Sequence, residues 1–160
     1  RALISRYQPD DEARIRFDWN GKHGDGFVDA NVEFRNSVRK AVMENLDTAP
    51  IELVRDLFRA ETQFSKEAWC ISRDVGRLGE RLLRDGGDRF IGDYLEGKRQ
   101  SFDASLGAGA FPIDLQLAEH LSAVVRERLK TESDANRVEL WKFGEETFER
   151  WAAGCREKPE

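Results

Sequence analysis

The chain has 160 residues, of which 36% are charged and 39% hydrophobic, and its formal net charge is −5. This length suits one domain whose core needs neither a metal nor a disulfide, and four Trp and ten Phe exclude a disordered chain. The acidic balance argues against a dedicated nucleic-acid-binding protein. No run of about 18 apolar residues is present, so we expect no membrane partner and, by default, a cytoplasmic location.

Residues 1–28 are predicted to form an N-terminal β-like arm or hairpin. Apolar and polar residues alternate over 14–19, which is the period of a half-buried strand. Asn20-Gly21 is typical of a two-residue hairpin turn, although Gly24 and Gly26 interrupt the return segment. An isolated hairpin is marginal in water. The arm therefore docks on the chain's own helices, pairs with another chain, or stays mobile.

Residues 29–157 are predicted to form an antiparallel bundle of about six helices, so the predicted fold class is all-α. Apolar residues recur there at spacings of three and four, which is the period of a helix with one buried face. The residues that mark the predicted helix starts are Asp29, Pro50, Ser72, Asp88, Pro112, and Ser133 or Asp134. Gly86-Gly87 is predicted to end the third helix, and the apolar face of the fourth continues to Phe102.

The clearest helix is predicted over 111–129. Its apolar residues share one face, and Pro112 suits the first helical turn. The flexible run 107–109 before it, Gly-Ala-Gly, is predicted to be a connecting turn.

A row of arginines is the strongest chemical signal. Arg73, Arg77, Arg81 and Arg84 fall on one side of the third predicted helix. Such a row can bind a phosphate, a carboxylate-rich partner or single-stranded nucleic acid, because each guanidinium offers a planar fork of donors. It can equally be a solvated face, since Glu80 lies four residues before Arg84 and can pair with it.

No catalytic residue, metal site or cofactor is predicted. The two histidines form no recognisable triad with Ser, Cys or Asp, and we expect His120 to be partly buried with its hydrogen bonds satisfied. Carboxylate pairs at 85/88, 93/96 and 146/149 leave a magnesium site as an open alternative. Cys70 and Cys155 are predicted to be buried free thiols, with a disulfide as the alternative.

The leading hypothesis is a non-catalytic, acidic helical protein–protein interaction domain, which could be an accessory or regulatory part of a larger protein. Its partner would be another protein or a second copy of the chain. Ile15, Phe17 and Trp19 are the predicted contact residues, because large aromatic side chains anchor interfaces; docking of these residues on their own helices is the alternative. The rival hypothesis is an anion- or phosphate-binding domain, or a metal-dependent enzyme, that uses the arginine row.

Overall fold

The computed structural model describes residue 4 and residues 6–157, and this part of the chain is all-α. The α-helices are α1 (Val32–Met43), α2 (Ile51–Ala68), α3 (Val75–Asp85), α4 (Ile91–Lys98), α5 (Phe102–Ala108), α6 (Leu115–Thr131) and α7 (Ala135–Arg156). Short 3-10 helices lie at Pro9–Arg14, Gly24–Gly26, Leu46–Thr48 and Asp88–Phe90. No helix among the described residues is long and apolar enough to cross a membrane.

Helix α2 is central, since it contacts α1, α3, α4 and α5. Four of its apolar side chains are fully buried, namely Leu53, Val54, Leu57 and Phe58. Helices α6 and α7 run antiparallel, because Arg126 pairs with Glu145 and Glu149 while Arg156 pairs with Glu119. For the other helices the antiparallel bundle stays a prediction.

Three predicted helix starts or ends are confirmed. Helix α2 begins directly after Pro50, and α3 ends at Asp85, immediately before Gly86-Gly87. Asp134 caps α7, because its carboxylate accepts a hydrogen bond from the Arg137 amide at 2.9 Å.

Three other boundaries differ from the prediction. Asn31, not Asp29, is the N-cap of α1. The predicted fourth helix is two helices, because Ser101 Oγ accepts a hydrogen bond from the Ala104 amide at 3.0 Å and starts α5. Asp114 caps α6 in the same way at 2.8 Å, so Pro112 lies before that helix and the predicted 107–109 turn partly belongs to α5.

The predicted hairpin is not formed by the described residues of the arm, and residues 1–3 and 5 lie outside them. Residues 18–29, here called the Asn20 loop, are instead closed by one antiparallel bridge between Trp19 and Asp29. The Asn20 side chain donates to the Gly26 carbonyl at 2.8 Å and accepts from the Lys22 and Val28 amides at 3.2 Å. These bonds stabilise a rounded loop rather than a second strand.

The arm docks on the chain's own helices, which is the alternative left open above. Ile15 is fully buried in the same hydrophobic core as the helices. The Tyr7 hydroxyl donates to Asp56 of α2 at 2.6 Å. Burial and this hydrogen bond raise the pKa of the Tyr7 phenol.

A buried ionic network joins the Asn20 loop to the first two helices. The Arg35 guanidinium, 1% exposed, donates to Asp29 at 2.6 Å and to Glu61 at 2.9 Å. Arg39 lies beside it, with its Nη1 at 3.7 Å from Glu61 and 3.3 Å from Asp74. Asp29 also accepts hydrogen bonds from the Asp18 and Asn31 amides at 3.1 Å. The network therefore connects the loop, α1, α2 and the residue before α3.

Arg35→Ala should lower the free energy of unfolding by about 3–5 kcal/mol, because it leaves the buried Asp29 carboxylate without its cation and Glu61 with only the more distant Arg39. Chemical denaturation of the wild type and the variant measures this difference. Arg89→Ala is the matched control, since Arg89 pairs with Glu52 at the surface and should contribute less than about 1 kcal/mol. Equal effects of the two substitutions would contradict a stabilising role of the buried network.

Gly87→Ala should lower the free energy of unfolding by about 1–3 kcal/mol, although no atom lies within 4 Å of the added Cβ. The reason is its backbone conformation, φ 66° and ψ −175°, which is essentially restricted to glycine. Gly154→Ala, also in open space but in helix α7, should instead raise the free energy by about 0.5 kcal/mol. Thermal unfolding that shows the same sign for both would contradict the assignment of strain to Gly87.

Lys98 is a buried cation, and its stability contribution should depend on pH. Its ammonium donates to the Ser105 carbonyl, and burial, followed by repulsion from Arg150, lowers its pKa from 10.5. Between the lowered pKa and 10.5 the unfolded chain holds a proton that the folded chain has released, so stability rises with pH. The unfolding free energy of the wild type minus that of Lys98→Met should therefore increase as the pH is raised toward 10.5, and a constant difference would contradict this.

Candidate interaction surface at the C-terminal end of α2

Trp69 ends α2 in an unusual conformation. It is the C-cap residue, with φ 54° and ψ 34°, and it is the only non-glycine residue of the described chain with a positive φ. A residue with a side chain loses about 1–2 kcal/mol in this left-handed region. The Trp69 side chain is nevertheless 81% exposed, so its burial does not compensate for that loss. Strain combined with exposure of a large aromatic ring is typical of a functional residue.

A pocket of about 540 Å³ lies beside Trp69. Its lining comes from two segments, the last turn of α2 and the Asn20 loop. The lining residues are His23, Gly24, Phe27, Phe64, Glu67, Ala68 and Trp69, and we call this cavity the aromatic pocket. The polar side chains of His23 and Glu67 face each other, with Nε2 and Oε2 3.8 Å apart. A largely apolar pocket of this volume with a few polar groups has the form of a recognition site.

Aromatic packing supports the pocket from behind. The Phe64 ring packs edge-to-face against Phe17 and Phe27, with centroid distances of 6.0 and 5.7 Å. Trp19 lies 4.9 Å from the His23 ring, and its indole N–H donates to the Lys22 carbonyl at 3.0 Å. These contacts hold the loop wall of the pocket against the helix wall.

The predicted contact residues have different positions in this arrangement. Phe17 and Trp19 are half-buried and support the wall, but they do not line the aromatic pocket. Ile15 is fully buried in the core and is therefore not accessible to a partner. None of the three predicted residues lines the pocket, and a contact role for Phe17 and Trp19 stays a prediction.

An exposed apolar ridge lies on α5. It consists of Phe102, 77% exposed, and Leu106, 61% exposed, and we call these two residues the α5 ridge. The Ser65 and Ser101 hydroxyls are 3.3 Å apart, and the Ile71 side chain packs against Gly107. These two contacts bracket Trp69 in one segment and the ridge in the other, so the two segments run along each other. Clusters of exposed apolar side chains mark interaction sites.

Two of the four arginines in the row, Arg81 and Arg84, are bonded to other groups of the chain. Arg81 donates to the Leu46 and Asp47 carbonyls at 3.2 and 2.9 Å and pairs with Asp85. Arg84 pairs with Glu80 at 3.0 Å and with Asp114 at 2.8 Å.

The hydrogen bond from Arg84 lowers the pKa of a neighbouring carboxyl group. Its guanidinium, by hydrogen bonding, holds the pKa of the Asp114 carboxyl below its ordinary value. Arg73 and Arg77 are exposed and form no side-chain hydrogen bond or ion pair with the described residues. Half of the predicted anion-binding row is therefore already bound to carbonyls and carboxylates.

The other candidate chemical groups are dispersed. The described residues contain no cluster of three or more His, Cys, Asp or Glu side chains that could hold a metal ion. His120 is hydrogen bonded to Asp88 at 2.8 Å, as expected for a satisfied histidine, and its side chain is 54% exposed. Cys70 and Cys155 are free thiols, and Cys70 is exposed because it follows the end of α2. The predicted burial of Cys70 is wrong.

Sequence analysis did not identify Phe27, Phe64 and Trp69 as site residues. Their helical spacing places Phe64 and Trp69 near the apolar face of α2, where an aromatic residue usually belongs to the core. The end of the helix is the feature that could have revealed Trp69 as an exposed residue. At that point the side chain no longer follows the buried face of α2.

Comparisons of the chain with protein-family models, with curated proteins and with solved structures gave no match.

Proposed function

We propose that this chain is a non-catalytic protein–protein interaction domain that docks a segment of another protein on the aromatic pocket and the α5 ridge. The observation that carries the proposal is the exposed, left-handed Trp69, which lines the pocket and follows the turn of α2 whose Ser65 hydroxyl lies 3.3 Å from that of Ser101 before α5. Tryptophan is enriched among the residues that dominate binding energy at interfaces. The neighbouring pocket provides the concave surface into which a partner's side chain inserts.

The pocket favours recognition over catalysis. Its lining combines apolar walls with a single carboxylate and a single imidazole, which lie 3.8 Å apart. These groups are sufficient to orient a bound side chain. The described lining residues include no Ser, Thr, Cys, Lys or Arg, so an activated hydroxyl or thiol nucleophile and a cationic clamp for developing negative charge are both missing there.

The charge of the chain favours a separate, basic partner over a second copy. A formal net charge of −5 attracts basic segments at long range, whereas two identical acidic chains repel each other. Sedimentation equilibrium tests this choice directly. A dimer that Trp69→Gly dissociates would show that the surface binds its own copy.

Trp69→Gly is expected to stabilise the fold and to abolish partner binding. Glycine adopts the left-handed conformation without strain, so the free energy of unfolding should rise by about 0.5–1 kcal/mol. Thermal unfolding measures that rise. The same variant should lose binding because the exposed ring is absent, and a gain in stability excludes unfolding as the reason for the loss.

Binding is measured with peptides selected from a random phage-displayed library on the wild-type domain. The selected peptides should bind Trp69→Gly at least about tenfold more weakly, which corresponds to the 1.4 kcal/mol or more that an interface tryptophan contributes. Phe34→Ala is the control, since Phe34 is 38% exposed on α1 and belongs neither to the pocket nor to the α5 ridge. Equal binding of the peptides by wild type and Trp69→Gly would contradict the proposal.

The rival phosphate-binding hypothesis predicts a different result, which thermal unfolding of the wild-type chain and an arginine variant can test. If it holds, phosphate compounds raise the thermal midpoint of the wild type, and Arg73→Glu with Arg77→Glu abolishes the rise. These two residues are the members of the row without a partner among the described residues. A phosphate effect of this kind without peptide binding would replace the proposed function.

A further inference from the structure

We infer that the aromatic pocket receives a cationic side chain of the partner, a lysine, a methylated lysine or an arginine. This inference rests on the proposed function and specifies the chemistry of the residue that anchors the partner. It is carried by the electrostatic character of the lining residues, which combine aromatic rings with one carboxylate.

The aromatic rings present a surface that attracts cations. Phe27, Phe64 and Trp69 line the pocket, and the face of an aromatic ring carries the negative part of its quadrupole. A cation within about 6 Å of a ring centroid is stabilised by this field, most strongly over tryptophan. The exposed Trp69 ring is accessible for such a contact because 81% of the residue's surface is exposed.

The chain already uses one of these rings in this way. The Arg35 guanidinium lies 5.5 Å from the Phe64 centroid on the buried side of the pocket wall. Because this guanidinium already contacts Phe64, Phe27 and Trp69 are the rings of the lining that remain for a partner's cation.

The only carboxylate of the lining provides a formal negative charge. The Glu67 side chain is 18% exposed and lies 3.8 Å from His23 and 3.6 Å from the Nζ of Lys66. Lys66 is 55% exposed and lies outside the lining, and a surface ion pair of this kind is weak. Among the described residues that line the pocket, none is a lysine or an arginine. A partner's cation would therefore compete with Lys66 for the Glu67 carboxylate, but it would meet no lysine or arginine among the described lining residues.

The test is an NMR titration of the ¹⁵N-labelled chain with small lysine derivatives. The probes are the N-acetyl methylamides of lysine, trimethyllysine and arginine, together with a neutral analogue in which carbon replaces the quaternary nitrogen. The readout is the indole N–H signal of Trp69, which is identified by its absence in Trp69→Gly. At least one cationic probe should shift this signal in a saturable way and bind about three- to tenfold more tightly than the neutral analogue.

Two variants test the role of the carboxylate. Glu67→Gln should weaken binding of the cationic probe about threefold or more and leave the neutral analogue unaffected. Lys66→Ala should not weaken binding of the cationic probe, because it removes only the ammonium that competes for the Glu67 carboxylate. Thermal unfolding of each variant tests whether it is folded. If Glu67→Gln is not folded, loss of probe binding in Trp69→Gly tests the pocket independently.

Equal affinity for the cationic probes and the neutral analogue, or no shift of the Trp69 signal with any cation, would overturn the inference. The proposed function fails separately. If the selected peptides depend on Trp69 but show no preference for a basic residue, the interaction surface stands and the cationic anchor is wrong. If the peptides do not depend on Trp69, the proposed function is wrong, whatever the small probes show.

Discussion

The buried guanidinium of Arg35 is the interaction on which the interaction surface depends. It lies between the carboxylates of Asp29, in the Asn20 loop, and Glu61, in α2. Each of these charges is stable in the interior only while its partners are present, because an unpaired buried ion loses several kcal/mol of solvation. The loop is therefore fixed relative to the helix. The same guanidinium contacts the Phe64 ring, so the network also positions the wall of the aromatic pocket.

This arrangement separates a rigid support from an exposed contact surface. Phe17, Trp19 and Phe27 pack behind or along the pocket and hold its loop wall in place. Trp69 is held by its position at the helix end, while its ring is exposed. A pocket that is formed before binding loses little conformational entropy when a ligand enters. The backbone strain at Trp69 is the kind of stability loss that proteins tolerate at functional residues.

The arginines of α3 show how the same chemistry acquires a structural role. Arg81 bonds the carbonyls of Leu46 and Asp47, so it joins α3 to the connection between α1 and α2. Arg84 bonds Pro112 and Asp114, which lie just before α6. Each guanidinium links segments about 28–35 residues apart in the chain. Two connecting segments, at Leu46–Asp47 and before α6, are thereby bonded to α3.

The sequence by itself determined the helical class, the ends of α2 and α3 near Pro50 and Gly86-Gly87, and the Asp134 cap of α7, because these features depend on side chains and backbone groups within a few residues. Tertiary structure decided the rest. Asp29 is a local capping candidate, but it pairs with Arg35 in the buried network instead. Asn20-Gly21 is a local turn signal, but the Asn20 side chain bonds Gly26 and Val28 and rounds the loop. Trp69 becomes a surface residue because α2 ends at it, and the pattern of apolar residues along α2, which extends to Ile71, does not reveal that end.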